Sequence, residues 1–366
     1  MFRLLVSAGG TGGGVYPALA TIAALGSRAD VLWLGGVGGM EADLVPRAGI
    51  RFEAVPAAGL HGVGLRSLPR NLAALTRGFG AARRVMRRFQ PEAMLLTGGY
   101  VGIPAALAGR GVPKVLYVPD IEPALAARVI ARLADVVAVT AEDSRRYYSR
   151  RARVFITGYP TRPDLTPSSK PRARERLGLS ADGPVVVVLG GSRGAHSINE
   201  AMWSGLERLL PAAQVIHLTG QMDFAKAVHV RDGLAQSQHA RYFPVAYLHE
   251  EMASAYAAAD LAIGRAGASA LGELPLFGLP AILVPYPHAW RYQHVNADFM
   301  AQRAAAEVVA DERLSSDLVP TALALLSDPG RLAAMSTAAR RQATSDSAQR
   351  IADLVEGEAN RRKVAA

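Results

Sequence analysis

The sequence predicts an α/β protein made of two Rossmann-like, doubly wound parallel-sheet domains facing a cleft. Three observations carry this reading. At 366 residues the chain exceeds one ordinary core, so two domains are expected. Short apolar runs alternate with helix-period patterns throughout, as parallel strands joined by crossover helices do. The grammar then restarts half-way, where a strand and glycine loop at 2–14 find a counterpart at 184–195. The expected boundaries are 1–160 for the first domain and 161–340 for the second. A C-terminal helix, 341–366, is expected to pack back on the first.

Composition removes several function classes. Half the residues are hydrophobic and a fifth charged, a globular balance. The absence of cysteine excludes disulfides and thiolate nucleophiles. The eight histidines form no HxH or HExxH spacing, so no metal is expected. Residues 1–6 are too short for a signal peptide, and no apolar run approaches the roughly 20 residues that span a bilayer. A soluble, cytoplasmic protein is expected. The net charge of +10 is uneven: between His61 and Arg153 stand about 16 Lys/Arg against about 6 Asp/Glu. Nucleic acid or an anionic membrane surface would each explain that surplus, as would a solvated basic face.

Taken in order, Phe2–Ser7 reads as a strand, followed by the loop Ala8-Gly9-Gly10-Thr11-Gly12-Gly13-Gly14. Pro17 is expected to open the next helix, where its missing N–H costs nothing. Val31–Leu34 and Phe52–Val55 read as strands flanking a short helix, Met40–Arg47. Leu68–Phe89 reads as a long helix. In it Leu68, Leu72, Leu75 and Phe79 recur at three- and four-residue spacing, among Arg84, Arg87, Arg88 and other arginines. Such a stripe either lies at a lipid headgroup boundary or faces the core. Met94–Leu96, Val115–Val118, Val136–Val139 and Val154–Ile156 complete the first set of strands, with a helix over Pro123–Leu133. Pro167–Pro171 reads as loop.

In the second half, Pro184–Leu189 is a buried strand ending in Gly190-Gly191-Ser192-Arg193-Gly194-Ala195, with a helix running through Asn199 and Trp203. Strands follow at Val215–Leu218, Tyr242–Phe243, Leu261–Ile263 and Ala281–Val284. From Leu314 onward the pattern is helical. The central stretch is Gly264–Glu273, set between a buried strand and a helix that stops at Gly278-Leu279-Pro280. A strand, a glycine turn and a helix N-terminus together attract anions. Glu273, one turn in, supplies a carboxylate able to grip a diol. Phosphate at the turn and a diol beyond it outline a nucleotide. A dinucleotide fold is disfavoured, because the first loop lacks GxGxxG spacing and no acid ends the second strand.

The ordered set Gly9–Gly13, Gly98-Gly99-Tyr100, Gly158–Arg162, Gly190–Ala195 with Asn199, Arg265–Ser269 with Glu273, and Gln293 with Asn296-Ala297 resembles the MurG family of glycosyltransferases, family 28. Met40–Pro46 also looks like the family's stretch at that place. The resemblance covers nearly the whole chain. It implies the GT-B fold, no cofactor, and transfer of GlcNAc from UDP-GlcNAc to a lipid-linked acceptor, lipid I, giving lipid II in peptidoglycan synthesis. It further implies an anionic membrane surface as partner, peripheral attachment at the cytoplasmic face, and no nucleic acid; the oligomeric state is left open. For the donor it implies Thr11, Gly12, Gly13, Arg162, Ser192, Asn199, Gly267, Ala268, Ser269, Glu273 and Gln293. For the membrane, Leu72, Leu75, Phe79, Arg84, Arg87 and Arg88 are the candidates.

The chain departs from the family in its acceptor half. Gly14 takes the place of a histidine, Tyr117-Val118-Pro119-Asp120 stands where the family has HEQN, Ala270 replaces a threonine and Tyr292 the first glutamine of a pair. Asp120 is then the candidate general base, with His61, in its glycine-rich loop, as the alternative. Three other readings stay open: a different lipid or glycoside acceptor, a GT-B nucleotide-sugar epimerase, and a homologue that binds without turnover.

Overall fold

The structure is a computed structural model. It describes residues 1–9, 12–56, 68–190, 194–288 and 291–365, the side chains of 68–75 and 363–365 excepted. The chain forms two compact units, one of Met1–Pro163 with Thr344–Ala366, the other of Asp164–Ala343.

The first unit is built on strands β1 (Phe2–Ser7), β2 (Ala29–Gly36), β3 (Arg51–Val55), β4 (Ala93–Leu96), β5 (Lys114–Val118), β6 (Val136–Val139) and β7 (Val154–Ile156). They pair in parallel in the order β3-β2-β1-β4-β5-β6-β7. Helices α1 (Gly12–Leu25), α2 (Glu41–Arg47), α3 (Leu68–Phe89), α4 (Gly102–Ala108) and α5 (Leu125–Ala131) form the crossovers. Central strands covered on both faces read as unbroken apolar runs, and β4, β5 and β6 are buried at every residue. Successive side chains alternate faces. Leu4, Val6, Leu95 and Val115 pack with α1, whereas Leu5, Leu96, Leu116 and Val137 pack with α3, α4 and α5.

The second unit begins with α6 (Lys170–Arg176) and holds β8 (Val185–Leu189), α7 (His196–Leu209), β9 (Gln214–Leu218), α8 (Phe224–Asp232), α9 (Gln236–His239), β10 (Tyr242–Val245), α10 (Met252–Ala258), β11 (Leu261–Arg265), α11 (Glu273–Phe277), β12 (Ala281–Val284), α12 (Tyr292–Gln302), β13 (Ala306–Val308), α13 (Leu314–Leu326) and α14 (Pro329–Arg340). The parallel order is β10-β9-β8-β11-β12-β13. One face packs Val186, Val188, Ile263 and Ile282 against Met202 and Leu206 of α7 and Leu318 of α13. Gly205 permits the close crossing of α7 and α13, since a Cβ there would stand 2.5 Å from Val319.

The last helix, α15 (Ser347–Ala365), returns to the first unit. Its Ile351, Ala352, Val355 and Ala359 are fully buried in the α1-side core. Arg28–Glu356 (2.6 Å) and Arg153–Glu358 (2.9 Å) tie it down at the rim.

The structure differs from the pattern reading at several places. Pro17 lies inside α1, because the glycine loop already turns helical at Gly12. The proline only removes the N–H that would bond Gly13 O. Of the expected loop Pro167–Pro171, only 167–169 lie outside a helix: Lys170 and Pro171 already form the first turn of α6, and buried Arg174 holds Ala181 O (2.6 Å) and Asp260 (2.9 Å). Helix α4 and strand β13 were too short to leave a periodic signal.

Candidate functional site

Open parallel sheets bind ligands beyond the carboxyl ends of their strands, where the strand order reverses. In the first unit that point lies between β1 and β4, in the second between β8 and β11. Both glycine-rich stretches of the second half therefore come together at one switch point.

After β8 the chain doubles back too tightly for side chains. A Cβ at Gly190 would lie 2.7 Å from Ala195 N, and Gly194, at φ +80°, abuts Thr219 O. The loop feeds α7, whose 14 residues give the site a substantial helix dipole. Asn199 does not face outward; it is fully buried. Its Nδ2 donates to Thr219 O (2.9 Å) and Asp223 (2.8 Å). Behind it runs a directed chain. The Trp203 indole, a donor only, donates to Tyr242 Oη (3.0 Å), so Tyr242 donates to His217 Nδ1 (3.0 Å) and His217 Nε2–H to Asn199 Oδ1 (3.0 Å). Burial pushes His217 down to about 3, which keeps it neutral. Burial would raise Asp223, but hydrogen bonds from His196 and Asn199 outweigh it and hold the carboxyl below its usual range. Asn199 thus fixes the loop that follows β9 against α7.

After β11 the expected single helix is two pieces. A 3₁₀ turn, Ala268–Leu271, joins α11 at Gly272, and Gly278 ends α11 at φ +60°. With five residues α11 has little dipole, whereas α7, after β8, has 14 residues. Glu273 is the first residue of α11, not one turn in. Its side chain is buried, and Oε2 accepts from Tyr256 Oη of α10 at 2.7 Å. Gly267 is extended and a Cβ there would meet nothing within 4 Å, so the backbone before Ala268 and Ser269 faces open space. Buried Asn296 holds Ala266 O (3.1 Å), and Gln293 Oε1 accepts from Tyr286 N–H (2.9 Å). The Arg265 guanidinium bonds Asp311 (2.5 Å) and Ser197 Oγ (2.7 Å), lashing the end of β11 to the start of α7.

The first unit's switch point gathers the loops after β1, β4 and β5. Gly12 and Gly13 open α1. Gly99, at φ +75°, leaves 2.9 Å between its Cβ position and Gly9 O, so these loops touch through backbone alone. Half-buried Asp120 follows β5. Burial drives the neighbouring Tyr117 phenol far above its usual range, against the hydrogen bond to Thr140, and the Asp120 charge adds to the rise. The guanidinium of Arg162 lies 5.1 Å from the Tyr16 ring centroid, which places Arg162 with this unit. At Gly14 a Cβ would be 2.8 Å from Thr97 Oγ1. Thr11, Ser192 and His61 lie outside the described residues.

Sequence reading missed several groups here. Ser7 ends β1 and Thr97 follows β4; their hydroxyls are buried and find no hydrogen-bond partner among the described residues. Glu41, 1 % exposed, accepts from Gly36 N–H (3.1 Å) and packs so tightly on Gly9 and Gly39 that neither position has room for a side chain. Tyr256 acts from a separate element, α10. Strand order was the one usable signal, since it alone selects which loops meet.

On α3, Ala82, Val85 and Met86 are buried and Phe79 is half-buried. Phe79 shares the helical phase of Met86, so here the stripe turns toward the sheet. Arg84 and Arg87 are exposed, and Arg88 pairs with Glu53. The side chains of Leu72 and Leu75 lie outside the described residues. Among the described residues no helix is long and apolar enough to cross a membrane.

Two parallel-sheet α/β units, each with a glycine loop at its switch point, are the architecture of the GT-B glycosyltransferases. Residues 4–139 match the glycosyltransferase family 28 N-terminal domain and residues 185–351 the family's C-terminal domain. The chain belongs to glycosyltransferase family 28. It is 40 % identical to the UDP-N-acetylglucosamine–N-acetylmuramyl-(pentapeptide) pyrophosphoryl-undecaprenol N-acetylglucosamine transferase of Roseiflexus sp. (strain RS-1), over 99 % of this chain and 96 % of that one. A protein of the same name from Desulforudis audaxviator is 38 % identical over 97 % and 98 %. The crystal structure of Acinetobacter baumannii MurG superposes with a TM-score of 0.76 at 26 % identity, covering 97 % of this chain and 99 % of that one.

Proposed function

We propose that this chain transfers GlcNAc from UDP-GlcNAc to undecaprenyl-pyrophosphoryl-MurNAc-pentapeptide (lipid I), forming lipid II at the cytoplasmic face of the cell membrane. The observation that carries the reading is the 40 % identity, across 99 % of the chain, to a relative named for that transfer. Glu273 takes the ribose hydroxyls, oriented by Tyr256. The N-terminus of α7, Ser192, and the backbone of Gly267, Ala268 and Ser269 are the second unit's candidates for the diphosphate, where leaving-group charge develops, and Arg162, Thr11, Gly12 and Gly13 are the first unit's. Gln293 takes sugar hydroxyls, and Asn199 positions the loop after β9.

Transfer is a single displacement. The acceptor hydroxyl oxygen attacks the anomeric carbon, the bond from that carbon to the diphosphate oxygen breaks, and its electron pair leaves on UDP. The acceptor proton passes to a base, here Asp120, with His61 as the alternative; such a base is worth about 10²–10⁴-fold. The anomeric configuration inverts. Neither metal nor cofactor enters the scheme. The exposed arginines Arg84, Arg87 and Arg88, with Leu72 and Leu75, are the candidate membrane face for the lipid-linked acceptor.

Turnover with UDP-GlcNAc and a lipid I analogue, the product identified by mass, tests the reading. Glu273→Ala should weaken UDP-GlcNAc binding by about tenfold or more, because charged hydrogen bonds are lost. Unchanged affinity by calorimetry would sink the donor assignment. The crowding of Gly14 by Thr97 favours a second reading, the same donor chemistry with a different lipid or glycoside acceptor. Donor hydrolysis without glycosylation of lipid I would select it, and binding without turnover would reject both.

A further inference from the structure

Arg162 is the charged residue among the first unit's candidates for the donor diphosphate, and the structure fixes it at both ends. Its main chain is set by the segment that follows β7. There Thr157 N–H donates to Val139 O (2.9 Å). Gly158, at φ +80°, has no room for a side chain against Thr344 and Ser347, and Tyr159 is buried. The tip of the side chain is set by an aromatic ring. The guanidinium lies over Tyr16 of α1, 5.1 Å from the ring centroid, within the range in which a cation is drawn to a π face.

The Tyr16 ring is itself held. Gly12 and Tyr16 stand four residues apart and share a face of α1, and a Cβ at Gly12 would lie 3.1 Å from Tyr16 Cε2. The half-buried ring therefore lies along the first turn of the helix, with the guanidinium against it. Stacking suits an arginine that has a ligand to bind. The N–H donors of a guanidinium lie in its plane, so a ring against its flat face fixes the plane without consuming them. A fork held in one plane loses less freedom on gripping two phosphate oxygens than one that swings, which is how preorganisation raises affinity.

We infer that Tyr16 is a positioning residue for the donor diphosphate, its ring fixing the plane of the Arg162 guanidinium beside the first turn of α1. This rests on the reading of Arg162 as a diphosphate ligand. The experiment measures UDP binding to the full chain by calorimetry, for the parent, Tyr16→Leu, Tyr16→Phe, Arg162→Ala, and Tyr16→Leu combined with Arg162→Ala. Tyr16→Met, which fills nearly the same space without a ring, takes the place of Tyr16→Leu if that variant does not fold.

Arg162→Ala should weaken UDP binding by about tenfold or more, because charged hydrogen bonds are lost. Tyr16→Leu should weaken it by about threefold to tenfold, and Tyr16→Phe, which keeps the ring, should stay within about twofold of the parent. The double variant should bind as Arg162→Ala does, since a ring that acts through the guanidinium has nothing left to position. Parent-like binding by Tyr16→Leu, an equal loss in Tyr16→Phe, or additive losses in the double variant would each overturn the proposal and leave Tyr16 a packing residue. The reading beneath it fails separately. If Arg162→Ala binds UDP as the parent does, or the parent binds none, Arg162 is not a diphosphate ligand and the proposal falls with it.

Discussion

At the residue scale, the least expected finding is that Asn199 is spent on structure. Its amide joins Thr219, Asp223 and His217, which ties the end of β9 and the loop after it to α7. The partner His217 gives this a pH signature. Its folded pKa is lowered to about 3, chiefly by burial, while the unfolded chain titrates near the ordinary value of 6.5. Between those values the unfolded state binds the extra proton, so stability is full above about pH 6.5 and falls as the pH drops toward 3. The slope approaches about 1.4 kcal/mol per pH unit from this one group. His217→Gln should flatten chemical-denaturation stability between pH 6.5 and 5 by about 2 kcal/mol relative to the parent. An equal acid slope in both proteins would remove His217 from the network's titration.

At the element scale, the start of α1 and the end of β4 are fitted to each other by the absence of a side chain at Gly14. Alanine there would gain about 1 kcal/mol of helix propensity but would meet Thr97 Oγ1 at 2.8 Å. Gly14→Ala should therefore be neutral or destabilising alone, yet stabilising by about 1 kcal/mol in a Thr97→Ala background. A double-mutant cycle by urea denaturation measures this, and additive effects would refute the contact. The same steric fact bears on function, since no larger side chain at position 14 has room to reach an acceptor unless Thr97 moves. Elements were legible where one force dominated. Strands β6, β7 and β12 fall where the apolar runs put them, because covered strands need apolar residues on both faces. The stripe on α3 could not be resolved from spacing, since periodicity states which residues share a face and not what covers it.

At the scale of the whole molecule, the C-terminal helix belongs to the unit that begins the chain. Ile351 is fully buried against the β1–β4 core, so Ile351→Ala should cost about 2–5 kcal/mol. Hydrogen exchange localises the effect: protection should fall in β1 and β4 and persist in β8 and β11. Equal loss in both units would contradict the division of the chain at Pro163 and Thr344. The sequence by itself determined the class of sheet, the glycine loops and the order of motifs, because backbone sterics and burial act over a few neighbouring residues. It also exposed Glu273 as a carboxylate placed just beyond a glycine turn. Only the tertiary structure decided that Tyr256 holds that carboxylate, that Asn199 faces inward, and that Ser7 and Thr97 meet at one switch point. Those pairings join residues 17 to 90 apart in the chain. Strand order and packing set such distances, and no local pattern encodes them.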